Sequence, residues 1–387
     1  MPVPHSAAQS PRFSELEGLR GFLAAWVIFG HILLFSGFTY TDGLFGILFS
    51  PVLGVYVFMM LSGFVITCAL DAKQSSWVDF MWRRFLRIYP VYVVCIALAI
   101  LCVGISHEVA GHRALQEIGA ENSNRLLEVE QNFSLYVFAD AFLLQNLLPR
   151  EHFPHAHETF LPPTWSLSLE WMFYLVMPML IGLLRQRWQV RSLGVGAIVV
   201  LVALFQKQAE FICPSLSLAN GSYFLTGIVS YYVWKHLPSF RGKRQWIAVV
   251  AFWMVLGSGM AVLGLPFKMW FAVMAMLLYT RVHTTRIWVF ESFRWVLNCQ
   301  PINYLGKISY SSYLLHWIVI EVCLFLGLHW IPQMEGRLAL AMYCCPPVFA
   351  VTYAASHLMF KFVEQPFINL GKTRGVRKQI PAARATA

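Results

Sequence analysis

Ten apolar runs, each long enough to cross about 30 Å of hydrocarbon, leave this chain little choice of architecture. They fall at residues 19–38, 46–70, 85–106, 165–184, 192–207, 215–234, 246–264, 267–281, 304–327 and 338–362. A backbone entering lipid has to satisfy its own hydrogen bonds, so runs of this length read as membrane helices. The expected fold is all-α and polytopic, with about ten transmembrane helices. Composition agrees: 58% of the 387 residues are hydrophobic and 12% are charged, more apolar surface than a soluble core of this size buries.

An eleventh run, 133–148, is short, and charge decides how to treat it. Leaving it out puts both termini on one side. Of the 29 Lys and Arg residues, all but Arg113, Arg125, Arg150, Lys207, Lys268 and Arg337 then share that side. The termini are therefore expected in the cytoplasm of a bacterial inner membrane. Counting 133–148 as a span would reverse every later loop and erase the asymmetry, so it is expected to be a re-entrant or interfacial helix.

Residues 1–18 are polar and precede a run too long and too Arg-flanked for a cleaved signal peptide. They read as a cytoplasmic N-terminal segment, followed by a membrane domain over 19–367 and a basic cytoplasmic tail over 368–387. The one sizeable hydrophilic loop, 107–160, faces outward. The net charge of +10 lies in short clusters between apolar runs, which points to membrane lipids as partner and away from nucleic acid. The eight cysteines are scattered without disulfide or zinc spacing, and His152, His155 and His157 match no standard metal motif, so no metal is expected. No internal repeat is visible.

Ionisable groups inside the runs cost about 2.5 kcal/mol or more each at the bilayer centre and so mark candidate chemistry. Arg20 and His31 are eleven residues apart, about 20° past three full turns and about 16 Å along a helix. They share one face, Arg20 near the surface and His31 near the centre. That layout suits a long ligand held by its anionic end while its far end reacts. Arg84 and Arg87, at i and i+3 in the stretch Trp82 to Pro90, form a second group able to clamp phosphates. A third is Glu170, about one and a half turns below the outer surface, which either pairs structurally or orients a catalytic imidazole or an acceptor hydroxyl. A fourth joins Ser309, Tyr313 and His316 along one side of a helix, with His316 near the depth of His31. These three read either as polar glue between helices or as the lining of a ligand tunnel.

Several blocks together carry a resemblance: Phe13 to Gly21 leading to His31, Gly54 to Phe64, Arg84 to Pro90, Trp165 to Tyr174, Ser309 to His316 and Val363 to Pro366. In this order they resemble the bacterial acyltransferase-3 family of integral membrane O-acyltransferases, over about residues 13 to 367. The resemblance implies a ten-helix bundle that moves an acyl group, commonly acetyl, from cytoplasmic acyl-CoA to a hydroxyl of a cell-envelope glycan or lipid-linked saccharide. The family's arginine-ten-residues-histidine motif falls on Arg20 and His31, and its paired arginines on Arg84 and Arg87. One departure is Tyr56 to Met60, where a more usual member has an acid or aromatic run. The extra periplasmic esterase-like domain of some relatives is not seen here.

On this reading, Arg20, Arg84 and Arg87 hold the CoA phosphates and the pantetheine arm runs toward His31. His31 acts as general base or carries the acyl group itself, and His316, Tyr313 and Glu170 orient it or stabilise an oxyanion. Two alternatives use the same residues differently. A secondary transporter or exporter would show repeat symmetry and broken helices, of which there is little. A membrane glycosyltransferase or unrelated acyl-CoA enzyme would place acids early in an outward loop, where Asp42 stands alone in the first one.

Overall fold

The computed structural model describes residues 13–39, 42–72, 76–111, 116–187, 218–236, 264–282, 288–330 and 336–377. Every regular element among them is helical: α1 (Ser14–Phe35), α2 (Gly43–Leu48), α3 (Pro51–Ala72), α4 (Trp77–Leu101), α5 (Val103–Gly111), α6 (Gln116–Gln131), α7 (Phe133–Ala141), α8 (Thr164–Leu184), α9 (Leu218–His236), α10 (Leu265–Val282), α11 (Trp288–Asn298), α12 (Gln300–Lys307), α13 (Ser309–Trp330), α14 (Arg337–Met359) and α15 (Gln365–Arg377). A π-helical turn, Phe360–Glu364, joins the last two. Six helical stretches are long and apolar enough to span a membrane: α1, α3, α4, α8, α13, and Arg337–Thr373, which runs from α14 into α15. The run 192–207, and all but the last residue of 246–264, lie outside the described residues.

Three runs differ from their sequence boundaries for local reasons. The run 46–70 is interrupted before Pro51, which opens α3 where a missing N–H costs nothing. The third span begins at Trp77 rather than 85, because Ser76 Oγ caps the Asp79 amide. Arg84 and Arg87 therefore lie about 10 and 15 Å along α4 instead of at its mouth. The run 304–327 divides at Ile308, between α12 and α13. At the short eleventh run, α7 has nine residues, about 14 Å, and a 3-10 turn over Gln145–Leu147 follows. Such a helix cannot cross the bilayer.

The chain forms two compact units. The first gathers the described parts of Met1–Val27, Ser50–Lys73 and Leu218–Lys307. Lipid tails are as apolar as leucine, so helices associate there through close packing and buried polar bonds. Accordingly α3 and α9 meet backbone to backbone at Gly63 and Gly227, where a Cβ on either would overlap the carbonyl oxygen of Phe224 or Met60. Around this crossing lie Leu23, Leu61, Phe64 and Trp270, all fully buried, and Trp270 Nε1 donates to Ser230 Oγ at 3.0 Å. The start of α1 sits against α11 and α12 in the same unit. Gly18 faces the Leu297 carbonyl, Gly306 faces the Glu17 carbonyl, and Arg294 and Asn298 both donate to Glu15.

The second unit gathers the described parts of Ile28–Phe49, Gln74–Ser217 and Ile308–Ala387. Its centre is α13, most of whose residues are buried. Helices α4, α5 and α14 pack on α13, and α8 and α15 pack on α4. Tyr310 ties α13 to α4 by donating to the Ile88 carbonyl at 2.7 Å. Ser311 donates to Glu364 at 2.7 Å and so ties α13 to the π-helical turn.

Candidate active site

Two imidazoles define the site. His31, in the C-terminal half of α1, and His316, in the second turn of α13, bring Nδ1 and Nε2 to 3.0 Å across 285 positions of sequence. Their ring centroids are 4.9 Å apart and His316 is fully buried. The roles of the four ring nitrogens follow from the far end of the chain. His316 Nδ1 lies 3.2 Å from the Ser312 carbonyl, one turn earlier in α13. A carbonyl only accepts, so Nδ1 carries the proton, and the neutral His316 presents a lone pair at Nε2. His31 Nδ1 must then be the donor between the rings. In a neutral His31 the lone pair is then on Nε2, the atom able to take a proton or attack a carbonyl carbon.

Aromatic rings set the surroundings of the pair. Tyr313 lies 5.8 Å from His316, ring to ring, and its hydroxyl donates to the Pro163 carbonyl at 2.9 Å and sits 2.8 Å from Ser166 Oγ. Trp317 meets His31 edge to face at 5.3 Å and Phe35 at 4.8 Å. Tyr313 and His316 thus lie together, whereas Ser309, the buried first residue of α13, accepts at its carbonyl from Ser312 Oγ at 3.1 Å.

Glu170 and the paired arginines meet elsewhere in this unit. Tyr174, one turn along α8, donates to Glu170, and the Glu170 charge also acts on Tyr310 and Tyr313. Arg84 stacks its guanidinium on the rings of Phe80 and Tyr174, at 5.3 and 5.2 Å. Arg87 also acts on Tyr174 electrostatically. Tyr174 therefore touches both the candidate acid and Arg84. Arg20 belongs to the first unit, where it is ion-paired with Glu17 at 3.8 Å.

The stretch 107–160, expected as a hydrophilic loop, is largely helical among its described residues. A few of its polar groups are turned inward. Arg125 is 2% exposed, and its Nη1 donates to the carbonyls of Glu158 and Thr159. Asp140 is fully buried, accepting from Thr159 Oγ1 at 2.5 Å and from the Tyr92 hydroxyl at 3.1 Å. Glu128 accepts from Tyr136 and from the His155 amide. His152 is exposed while His155 and His157 are half-buried, and no cluster of metal-binding side chains occurs among the described residues.

Burial pushes the Asp140 carboxyl up to about 7, against the lowering effect of its two hydroxyl donors. Below about pH 4, folded and unfolded chains are both protonated there. As pH rises toward 7 the unfolded carboxyl ionises first, so stability is lost across that window. At about 1.4 kcal/mol per pH unit the loss amounts to no more than about 4 kcal/mol. The Asp140→Asn variant is expected to lack this slope. Its thermal-inactivation temperature in detergent, minus that of wild type, should rise between pH 4 and 7 and then level off; a difference independent of pH would contradict the buried neutral acid.

Two buried carboxylates of the second unit escaped the sequence reading as site residues. Glu321, on α13, accepts from Trp317 Nε1 at 2.9 Å and from Ser106 Oγ at 2.7 Å. Glu364, 1% exposed, binds Ser311 from the π-helical turn. The signal was present in both cases, an acid inside or beside an apolar run.

Long apolar helices enclosing a hydrogen-bonded imidazole pair define a polytopic membrane protein with a polar site inside its helices. Comparison with known proteins gives that class a lineage: the chain belongs to the acyltransferase-3 family, whose model, described as an acyltransferase domain, matches residues 13–357. It is similar to nodulation protein 10 of Rhizobium leguminosarum bv. viciae, at 26% identity over 98% of this chain and 100% of that protein. Similarity to acyltransferase MdmB of Streptomyces mycarofaciens is 27% over 94% of each chain. O-acetyltransferase OatA of Staphylococcus aureus matches at 24% over 94% of this chain and 58% of its own length. No solved structure matches the chain. The protein is a membrane acyltransferase by family.

Proposed function

We propose that this protein is an inner-membrane O-acyltransferase that moves an acyl group, acetyl in the first instance, from cytoplasmic acyl-CoA to a hydroxyl of a cell-envelope glycan or lipid-linked saccharide. The observation that carries this reading is the His31–His316 pair, whose hydrogen-bond direction makes Nε2 of His31 the basic atom. Names of relatives add support: one is an O-acetyltransferase and another an acyltransferase. In direct transfer, His31 Nε2 removes the proton of the acceptor hydroxyl as its oxygen attacks the thioester carbon, and the departing CoA sulfur takes that proton. In the two-step form the same nitrogen attacks the thioester and the acceptor then displaces it. Both routes turn ROH and acyl-S-CoA into the ester RO-acyl and CoA-SH, the hydroxyl proton ending on the CoA sulfur.

The cations take the donor's phosphates on this reading. Arg84, Arg87 and Arg20 are the candidates, with both termini on the cytoplasmic side and about ten transmembrane helices in all. Tyr313 and Glu170 are assigned to orienting groups around the reacting carbon, and no metal takes part. The 133–148 stretch stays on the outer side as a re-entrant or interfacial element, which its nine-residue helix allows.

The test is transfer of labelled acetyl from acetyl-CoA into the envelope fraction of cells expressing the protein. Wild type is expected to label a product. At matched membrane levels, Arg84→Ala should raise the KM for acetyl-CoA about 10-fold or more, the loss of one charge-assisted phosphate bond. Unchanged labelling in the absence of the protein, or an unaltered KM in the Arg84 variant, would refute the donor assignment; absence of acyl transfer together with solute export would favour the transporter alternative.

A further inference from the structure

Glu321 is an acid near the middle of a membrane helix, and the transfer chemistry just described does not use it. Both its oxygens are committed: Oε1 accepts from the Trp317 indole and Oε2 from Ser106 on α5. Arg125 acts on it electrostatically from a distance, as it does on Glu158. Residues 317 and 321 are one turn apart on α13, so the carboxylate fixes which way the indole ring faces. That ring fills the space between His31 and Phe35, themselves one turn apart on α1, with edge contacts at 5.3 and 4.8 Å. His31 is thereby fixed at two places, by the His316 hydrogen bond and by the Trp317 wall.

We propose that Glu321 is a positioning residue for His31, acting through Trp317. The proposal rests on His31 as the reacting group. The argument is one of stiffness. A hydrogen bond by itself lets an imidazole pivot, moving Nε2 along an arc while the bond survives, and each packed neighbour shortens that arc. A packed indole on a second side removes that freedom, and a misplacement of about 1 Å at a reacting atom can cost about 100-fold in rate. Without the carboxylate the buried indole N–H has no acceptor there, and the ring turns to find one. Glu321 therefore stiffens the base without touching either substrate.

The experiment is labelled acetyl transfer in membranes carrying their own acceptors, with acetyl-CoA as the varied substrate and His31→Ala as the control. Glu321→Ala is expected to lower kcat about 10- to 100-fold with the KM for acetyl-CoA unchanged. Glu321→Gln keeps an oxygen for the indole, and Glu158 remains beside Arg125, so it should restore most of the rate. Trp317→Phe should lower kcat similarly, and Glu321→Ala added to it should cost nothing more, because both changes remove the same wall. If Glu321→Ala does not accumulate, the Trp317→Phe kcat and KM still decide the matter. Additive losses in the double variant, a raised KM, or Gln behaving like Ala would overturn the positioning role. Should His31→Ala itself retain transfer, the failure would lie with the proposed function instead.

Discussion

Removing either imidazole of the pair is expected to cost about 1,000-fold in turnover, and removing both is expected to cost no more than removing His31 alone. His31→Ala deletes the basic nitrogen. His316→Ala leaves that nitrogen in place but deletes the acceptor that keeps the proton on Nδ1 of His31. The ring can then turn over or adopt the other tautomer, and the lone pair points away from the reacting carbon. Two residues that work as one unit lose their shared contribution only once, so the double variant is the discriminating measurement. Kinetics of labelled acetyl transfer at matched membrane levels would show it. Independent, multiplying losses would mean that His316 does something other than set the tautomer of His31.

A substitution far from chemistry should be as damaging to the protein as these are to the rate. Gly227→Leu is expected to abolish accumulation of folded protein, and Gly63→Leu likewise, because each side chain would start inside a carbonyl group of the opposing helix. Neither obstacle is the far end of a flexible side chain, so the helices must separate. Separation would expose the core around Phe64 and Trp270, both fully buried. Alanine is already too large at Gly227 and should lower the inactivation temperature in detergent clearly. Size-exclusion profiles of the solubilised variants are the check, and a monodisperse Gly227→Leu peak would contradict the close crossing of α3 and α9.

The sequence was most legible where lipid dictates the answer. A stretch of apolar residues long enough to cross a bilayer has one low-energy backbone, so α1, α3, α4, α8, α13 and the long C-terminal helix fall where hydropathy puts them. Their ends were less legible, because Ser76, Pro51 and the break at Ile308 act through caps and turns that a hydropathy pattern averages away. His31 and His316 were readable as costly groups at similar depth. The bond between them was not, since nothing local in α1 announces a partner in α13. The burial of Arg125 and Asp140 was not legible, because a polar residue in or beside a hydrophilic stretch looks the same whether it faces water or another polar group. Glu321 was visible as an acid within an apolar run, and only the indole beside it gives that acid a purpose.

The imidazole pair ends on a backbone carbonyl, that of Ser312. An amide oxygen at this position neither accepts a proton for keeps nor gains a counter-charge, so the line His31, His316, Ser312 is closed at its far end. A proton picked up by His31 has no onward route along it. Along this line it can only return to the nitrogen through which it arrived, and on the proposed reaction the group waiting there is the CoA sulfur. One turnover then borrows a proton from the acceptor and returns it to the donor without drawing on the pool of either compartment. Acyl transfer in this protein would run indifferent to the membrane's proton gradient, even though its reacting nitrogen sits between the two aqueous phases.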